Sequence, residues 1–219
     1  MTGDDPTSVS GKLSILRNTW SSLVDAVGVT NFGDQAVVVP LAVGIALIFA
    51  LSGWRRGALA WTAAIGSTLS LILFLKLRFF ACDHLLTEAR PGNPSGHTAA
   101  AAAVYGGLLA IAMRSIWNIK RWALPCTAAI AVFLAVVIGA SRLILDLHSM
   151  EEVVVGGTIG VVGAVSFVML AGPPLRGVRM LRVVAIGLLI VFILYGFRIT
   201  AEAAIKSAAT NLWPFPECI

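Results

Sequence analysis

Long apolar blocks, each closed by a short polar or basic link, fill this chain from residue 35 to residue 198. They fall near 35–53, 57–78, 97–113, 122–141, 151–171 and 180–198. An α-helix crosses the hydrocarbon core of a bilayer with roughly 17–25 such residues, so the pattern predicts six spans. Residues 11–28 follow a different rhythm, with Leu13, Ile15, Leu16, Trp20, Leu23 and Val27 spaced among Lys12, Arg17 and Asp25. That spacing predicts an amphipathic helix lying in the membrane interface. The expected fold class is all-α: a polytopic transmembrane helical bundle of about six spans, plus an N-terminal interfacial amphipathic helix. Its parts are an N-terminal tail and amphipathic helix over 1–33, a membrane-embedded domain over 34–198 and an outward-facing C-terminal tail over 199–219.

Composition narrows the class further. Of 219 residues, 58% are hydrophobic and 12% charged, and the mean hydropathy is +0.90. A soluble domain of this size has no use for so much apolar surface. The net charge of +5 is explained by where the basic residues fall. Arg55, Arg56, Arg114, Lys120, Arg121, Arg176, Arg179 and Arg182 occupy the links on one side of the membrane, and no Asp or Glu joins them. This is the positive-inside pattern, and it places that face in the cytoplasm. It reads as topology and not as a nucleic-acid surface. Arg198, at the end of the last block, is expected to snorkel to headgroups.

Two polar constellations interrupt the apolar pattern on the opposite face. One is Arg90-Pro91-Gly92-Asn93-Pro94-Ser95-Gly96-His97; the other is Ser141-Arg142 followed by His148 and Glu152. Two spans separate His97 from Ser141, so both constellations emerge on the same side. Arginine is the natural fork for phosphate oxygens. Histidine gives and takes protons near neutral pH and can also act as a nucleophile. Glu152 lies four residues after His148, which puts the two side chains on one helical face. The combination suits cutting or moving phosphate at a bilayer surface. Gly156, Gly157, Gly160 and Gly163 recur at small-residue spacing, as close helix packing requires.

Pro94-Ser95-Gly96-His97 and Ser141-Arg142 with His148 resemble the second and third motifs of the type 2 phosphatidic acid phosphatase superfamily. That group includes lipid phosphate phosphatases, bacterial acid phosphatases and vanadium haloperoxidases. The resemblance implies that His148 is the nucleophile that forms a phosphohistidine, that Glu152 orients it and that His97 protonates the leaving oxygen. It implies that Arg90, Arg142, Ser95 and the Gly96 N–H hold the phosphoryl oxygens, with no metal ion or other cofactor needed. Two positions depart from the family pattern. Glu152 stands where the third motif ordinarily has Asp. The first motif is usually Lys, six residues, then Arg-Pro, but counting back from Arg90-Pro91 gives Asp83. Lys76 is the nearest lysine: either it reaches the phosphate from a shifted position, or Arg90 carries the whole task.

The implied partners are the bilayer and a membrane lipid substrate. The expected activity is removal of phosphate from a lipid phosphate or diphosphate at the outer face. Undecaprenyl diphosphate, phosphatidylglycerophosphate, phosphatidate and a lipid A phosphate all meet that description. A lipid phosphotransferase using the same intermediate and a non-catalytic lipid-binding protein are the alternatives. Cys82 and Cys218 would share the outer face, where an oxidising compartment permits a bridge; two free thiols are the other reading. Cys126 lies inside an apolar block and reads as packing.

Overall fold

In the computed structural model, residues 23–82, 93–117, 122–175, 178–199 and 201–212 are described, and every regular element among them is a helix. These are α1 (Gln35–Leu51), α2 (Arg55–Cys82), α3 (Gly96–Trp117), α4 (Ala123–Ile144), α5 (Met150–Leu170), α6 (Val178–Leu194) and α7 (Ala201–Leu212). The all-α membrane bundle is therefore the fold of this protein. Five apolar stretches are long enough to cross a bilayer, the first running from Leu23 to Leu51. The sixth block forms α6, whose 17 residues dock on α1 and rise about 25 Å at 1.5 Å per residue, close to the hydrocarbon thickness.

Local chemistry sets the helix starts. The Asp34 carboxylate accepts the Ala36 N–H at 2.8 Å and opens α1. Ser149 and Glu152 form a capping box at the start of α5, each side chain accepting the other's backbone N–H. Both devices satisfy amide donors that the first turn of a helix leaves unpaired. Asp146 closes α4 with φ 51°, a left-handed turn that Asp adopts more readily than most residues.

The centre of the bundle is α3, packed against α4 and α5 and also touching α1, α2 and α6. Every residue from Ala99 to Val104 is buried. Lipid tails are as apolar as leucine, so burial alone gives helices little reason to associate here; close contact of small residues does. The glycines of α5 serve that purpose, as expected. A Cβ on Gly156 would strike the Ser95 carbonyl, one on Gly160 the Ala99 carbonyl and one on Gly163 the Thr68 hydroxyl. Gly156 therefore lets α5 lie directly against the turn that precedes α3.

The two ends of the bundle differ. Toward one end, Phe49, Trp54, Trp61 and Phe167 stack edge to face, and the Trp61 indole N–H donates to the Ala42 carbonyl at 2.8 Å. Beyond them, Arg56 donates to the Leu170 carbonyl and Arg114 to the Val168 carbonyl. Arg179 and Arg182 gather beside the end of α1. The described basic links thus share one end of the bundle; Lys120, Arg121 and Arg176 lie outside the described residues.

Three expectations concern the segments around this core. The amphipathic helix predicted over 11–28 is described only from residue 23, and from there it is helical through residue 31. This part packs against the bundle. Ala26, Thr30 and Asn31 are buried, and the Gly28 carbonyl accepts the Tyr195 hydroxyl at 3.1 Å, because the chain after α6 returns across it. Arg198, expected to snorkel, donates from its Nε to Asn31 Oδ1 at 3.1 Å as part of the same crossing. The segment read as a C-terminal tail contains α7, which lies against α2. A bridge between Cys82 and Cys218 falls outside the described residues. Cys126 is free and partly buried.

Candidate active site

At the end of the bundle opposite the basic links, a cavity of about 290 Å³ opens between helix ends. Its wall includes Lys76 from α2, Gly96 and His97 from α3, Arg142 from α4 and His148 from the α4–α5 turn. Residues 66 positions apart in the chain and further thus meet at one point, because α2 and α4 end at the level where α3 and α5 begin.

His148 is fixed by its own neighbourhood. Its Nδ1 lies 2.8 Å from Glu152 Oε2, and the same oxygen accepts the Ser149 N–H at 3.1 Å. One carboxylate therefore caps α5 and orients the imidazole, so helix formation and side-chain placement are the same event. With Nδ1 engaged as the donor, Nε2 keeps its lone pair. The His148 side chain is 3% exposed, and burial lowers its pKa despite the opposing bond to Glu152; the charges of Arg142 and Lys76 push in the same downward direction. The shift favours the neutral ring, the form whose Nε2 lone pair is free.

Arg142 is also buried, at 7% exposure. Its Nη1 donates to the Thr30 hydroxyl at 3.3 Å, while its Nε is buried with no partner among the described residues. A guanidinium with an unused buried donor is costly unless something anionic completes it. Lys76 is 4% exposed and donates to Asn93 Oδ1 and Glu202 Oε1, each at 2.8 Å. These two cations converge on the cavity that holds His148. The N-terminus of α3 at Gly96 adds backbone amide dipoles that favour an anion.

His97 sits at the cavity edge, its Nε2 3.6 Å from Asp34 Oδ2. Gly33 makes this approach possible, since a Cβ there would press on the His97 Cβ and carbonyl at 3.1 Å.

The predicted set is brought together with one separation. Lys76, Gly96, His97, Arg142 and His148 all line the cavity, and Glu152 stands behind His148. Ser95 does not: it is fully buried, its hydroxyl 2.9 Å from that of Thr98 and accepting the Thr98 N–H at 3.4 Å. Its backbone N–H donates to the Glu152 carbonyl at 3.0 Å, so it joins the two motifs structurally. Arg90 lies outside the described residues.

The structure adds residues that sequence reasoning missed. Asp34 could have been suspected as an N-cap, because it immediately precedes an apolar run. Nothing in its surroundings signals a histidine partner 63 positions away. Gln35 and Glu202 line the cavity, and Asn93 holds Lys76; none carries a local signal for that placement.

Taken together, fold and cavity define a multi-pass membrane protein with two histidines and two buried cations around one anion-sized space. Residues 36–173 match the PAP2 superfamily, and the chain belongs to that family. Membership supports a phosphatase-type activity. A relative from Klebsiella pneumoniae, described as an uncharacterized 22.5 kDa protein in the cps region, is 28% identical over 152 residues. The match covers 65% of this chain and 67% of the relative. No solved structure matches the chain.

Proposed function

We propose that this protein hydrolyses the phosphate of a membrane lipid phosphate or diphosphate through a phosphohistidine, without a metal ion. The observation that carries the proposal is His148, held through Nδ1 by Glu152 at 2.8 Å on a cavity shared with Lys76, Arg142 and His97. In the first step, His148 Nε2 attacks phosphorus and the bond to the leaving oxygen breaks, its electron pair staying on oxygen. His97 gives that oxygen a proton, and Asp34 balances the imidazolium beforehand. In the second step, a water attacks phosphorus as the P–N bond breaks, and the now neutral His97 takes the water proton. The products are inorganic phosphate and a lipid alcohol, or a lipid monophosphate where the substrate is a diphosphate. Arg142, Lys76 and the Gly96 amide take the charge that builds on the equatorial oxygens, the work a metal does in other phosphoryl-transfer sites.

Lys76 fills the place of the lysine absent from the first motif, which weakens the non-catalytic alternative. Two observations support a lipid as the substrate. The site lies at the ends of membrane-spanning helices, and a groove of about 520 Å³ between α4 and α5 is lined by apolar residues, including Leu143 and Met150, that flank Arg142 and His148 in the chain. The basic links at the other end of the bundle support an outward-facing site under the positive-inside rule. In a bacterium this would be the periplasmic side of the inner membrane.

The test is phosphate release by detergent-purified protein in EDTA, on a panel of lipid phosphates and diphosphates. Wild type should turn over at least one, and His148→Ala should lose activity by about 10³-fold or more. Equal rates from the two proteins would remove the phosphohistidine step; release that vanishes in EDTA and returns with a divalent cation would remove the metal-free scheme.

A further inference from the structure

We infer that Glu202 is an intramolecular competitor for the phosphate site, and that it sets the KM of the reaction proposed above. The inference rests on reading the cavity as a phosphate site. The Glu202 carboxylate contributes Oε1 at 2.8 Å from Lys76 Nζ and at 2.6 Å from Asn93 Nδ2. It lines the same cavity as Arg142, His97 and His148. A carboxylate oxygen and a phosphoryl oxygen ask for the same partners: a cation and neutral N–H donors at charge-assisted hydrogen-bond distance. Glu202 has both.

The placement has a physical cause. Lys76 is an ammonium at 4% exposure, and a buried cation needs a partner. Glu202 supplies one from α7, which begins at Ala201 and lies along α2. Glutamate in the first turn of a helix is favoured by the amide dipoles there. The carboxylate is half exposed, so it can rotate away without dragging α7 out of place. Burial alone would raise its pKa; the bond and charge of Lys76, then Asn93 and His148, outweigh that and bring it down to about 2. Glu202 is therefore an anion at every pH where the enzyme could work, and the competition is constant, not a pH switch. The whole of α7 lies beyond residues 36–173, the part that matches the family.

When substrate enters, a phosphoryl oxygen takes the Glu202 position on Lys76 and Asn93, and the carboxylate swings to water. A site occupied by its own anion for most of the time shows an apparent affinity reduced by the unoccupied fraction.

Two measurements on full-length protein in detergent test this. Binding of inorganic phosphate is measured by calorimetry, and KM is measured with dioctanoyl phosphatidate. Glu202→Gln keeps the shape and removes the charge. It should tighten phosphate binding and lower KM together by roughly two- to fivefold, the range expected for a half-exposed ion pair. In the double variant with Lys76→Ala, phosphate binds no more tightly than to wild type, because the cation competed for is gone. Weaker or unchanged phosphate binding by Glu202→Gln overturns the inference and makes Glu202 a support for Lys76. Glu202→Asp guards against misfolding: it keeps the charge but cannot reach both partners, and should fall between wild type and Glu202→Gln. Tighter phosphate binding without turnover of any lipid phosphate by wild type leaves the competitor standing and removes the phosphatase reading. Turnover without tightening does the reverse.

Discussion

The two sides of the cavity are built in different ways. On one side, Arg142, His148 and Glu152 sit within eleven consecutive residues at the α4–α5 turn, and the link that matters is an i,i+4 contact backed by a capping box. On the other, Lys76, Asn93 and Glu202 come from three separate regions, with Lys76 and Glu202 126 positions apart. The first side is made rigid by helix geometry itself. The second is held by ion pairing and by the docking of α7 on α2. Under the proposed reaction this is a division of labour: the local side would carry the bond-making group, where a fraction of an ångström decides the rate. The assembled side carries charge, which tolerates looser positioning because it acts over longer distance.

Substitutions can break or sharpen that division. The largest effect should come from Glu152→Gln, which keeps the side-chain length but removes the charge that fixes the His148 tautomer. By the logic of catalytic triads, kcat should fall about 10³–10⁴-fold in the phosphate-release assay while lipid binding persists. Lys76→Ala should cost less, about 10–10²-fold in kcat/KM, because Arg142 still faces the phosphate. A Lys76→Ala loss as large as that of Glu152→Gln would end the distinction between a bond-making side and a charge-holding side.

Gly156→Val addresses the seam between the two motifs. Its side chain would meet the Ser95 carbonyl and prise α5 from the turn carrying Asn93, Gly96 and His97. Overpacking of this kind costs about 1–3 kcal/mol, so thermal unfolding in detergent should shift downward by several degrees, with activity falling alongside. Unchanged stability would mean that the two motifs do not depend on this contact.

The smallest effect concerns pH. The folded carboxyl of Glu202 is held at about 2, below its usual 4.5. A group held down in this way stabilises the folded state above the unfolded value, and that contribution is lost as pH falls from about 4.5 through about 2. Protection of α7 amides from hydrogen exchange should therefore weaken over that window in wild type and stay flat in Glu202→Gln. The local side responds differently: burial lowers the His148 pKa from 6.5, so the acid limb of kcat/KM for nucleophile availability should lie below that value.

How much of this was legible in advance follows the same division. The apolar blocks announced the helices because a membrane span must satisfy its backbone internally and bury nothing polar, leaving a long and unambiguous signature. His148 with Glu152, and the glycine stripe of α5, were legible because one helix turn fixes their geometry whatever the rest of the fold does. Ser95 shows the limit of a motif read residue by residue: it sits beside Gly96 and His97 in sequence, yet its hydroxyl turns inward to Thr98. The lysine could be nominated by proximity, but only packing could bring Lys76 to the cavity.

The sequence by itself determined the membrane bundle, the two polar turns on one face and the histidine–glutamate pair, because each depends on residues a few positions apart or on bulk hydropathy. Tertiary structure alone decided that Asp34 would back His97, that Thr30 would meet Arg142 and that Glu202 would close on Lys76. Those pairings depend on where helix ends meet in space. Many partners along a chain can satisfy a buried charge, and only the packed bundle selects which of them arrives.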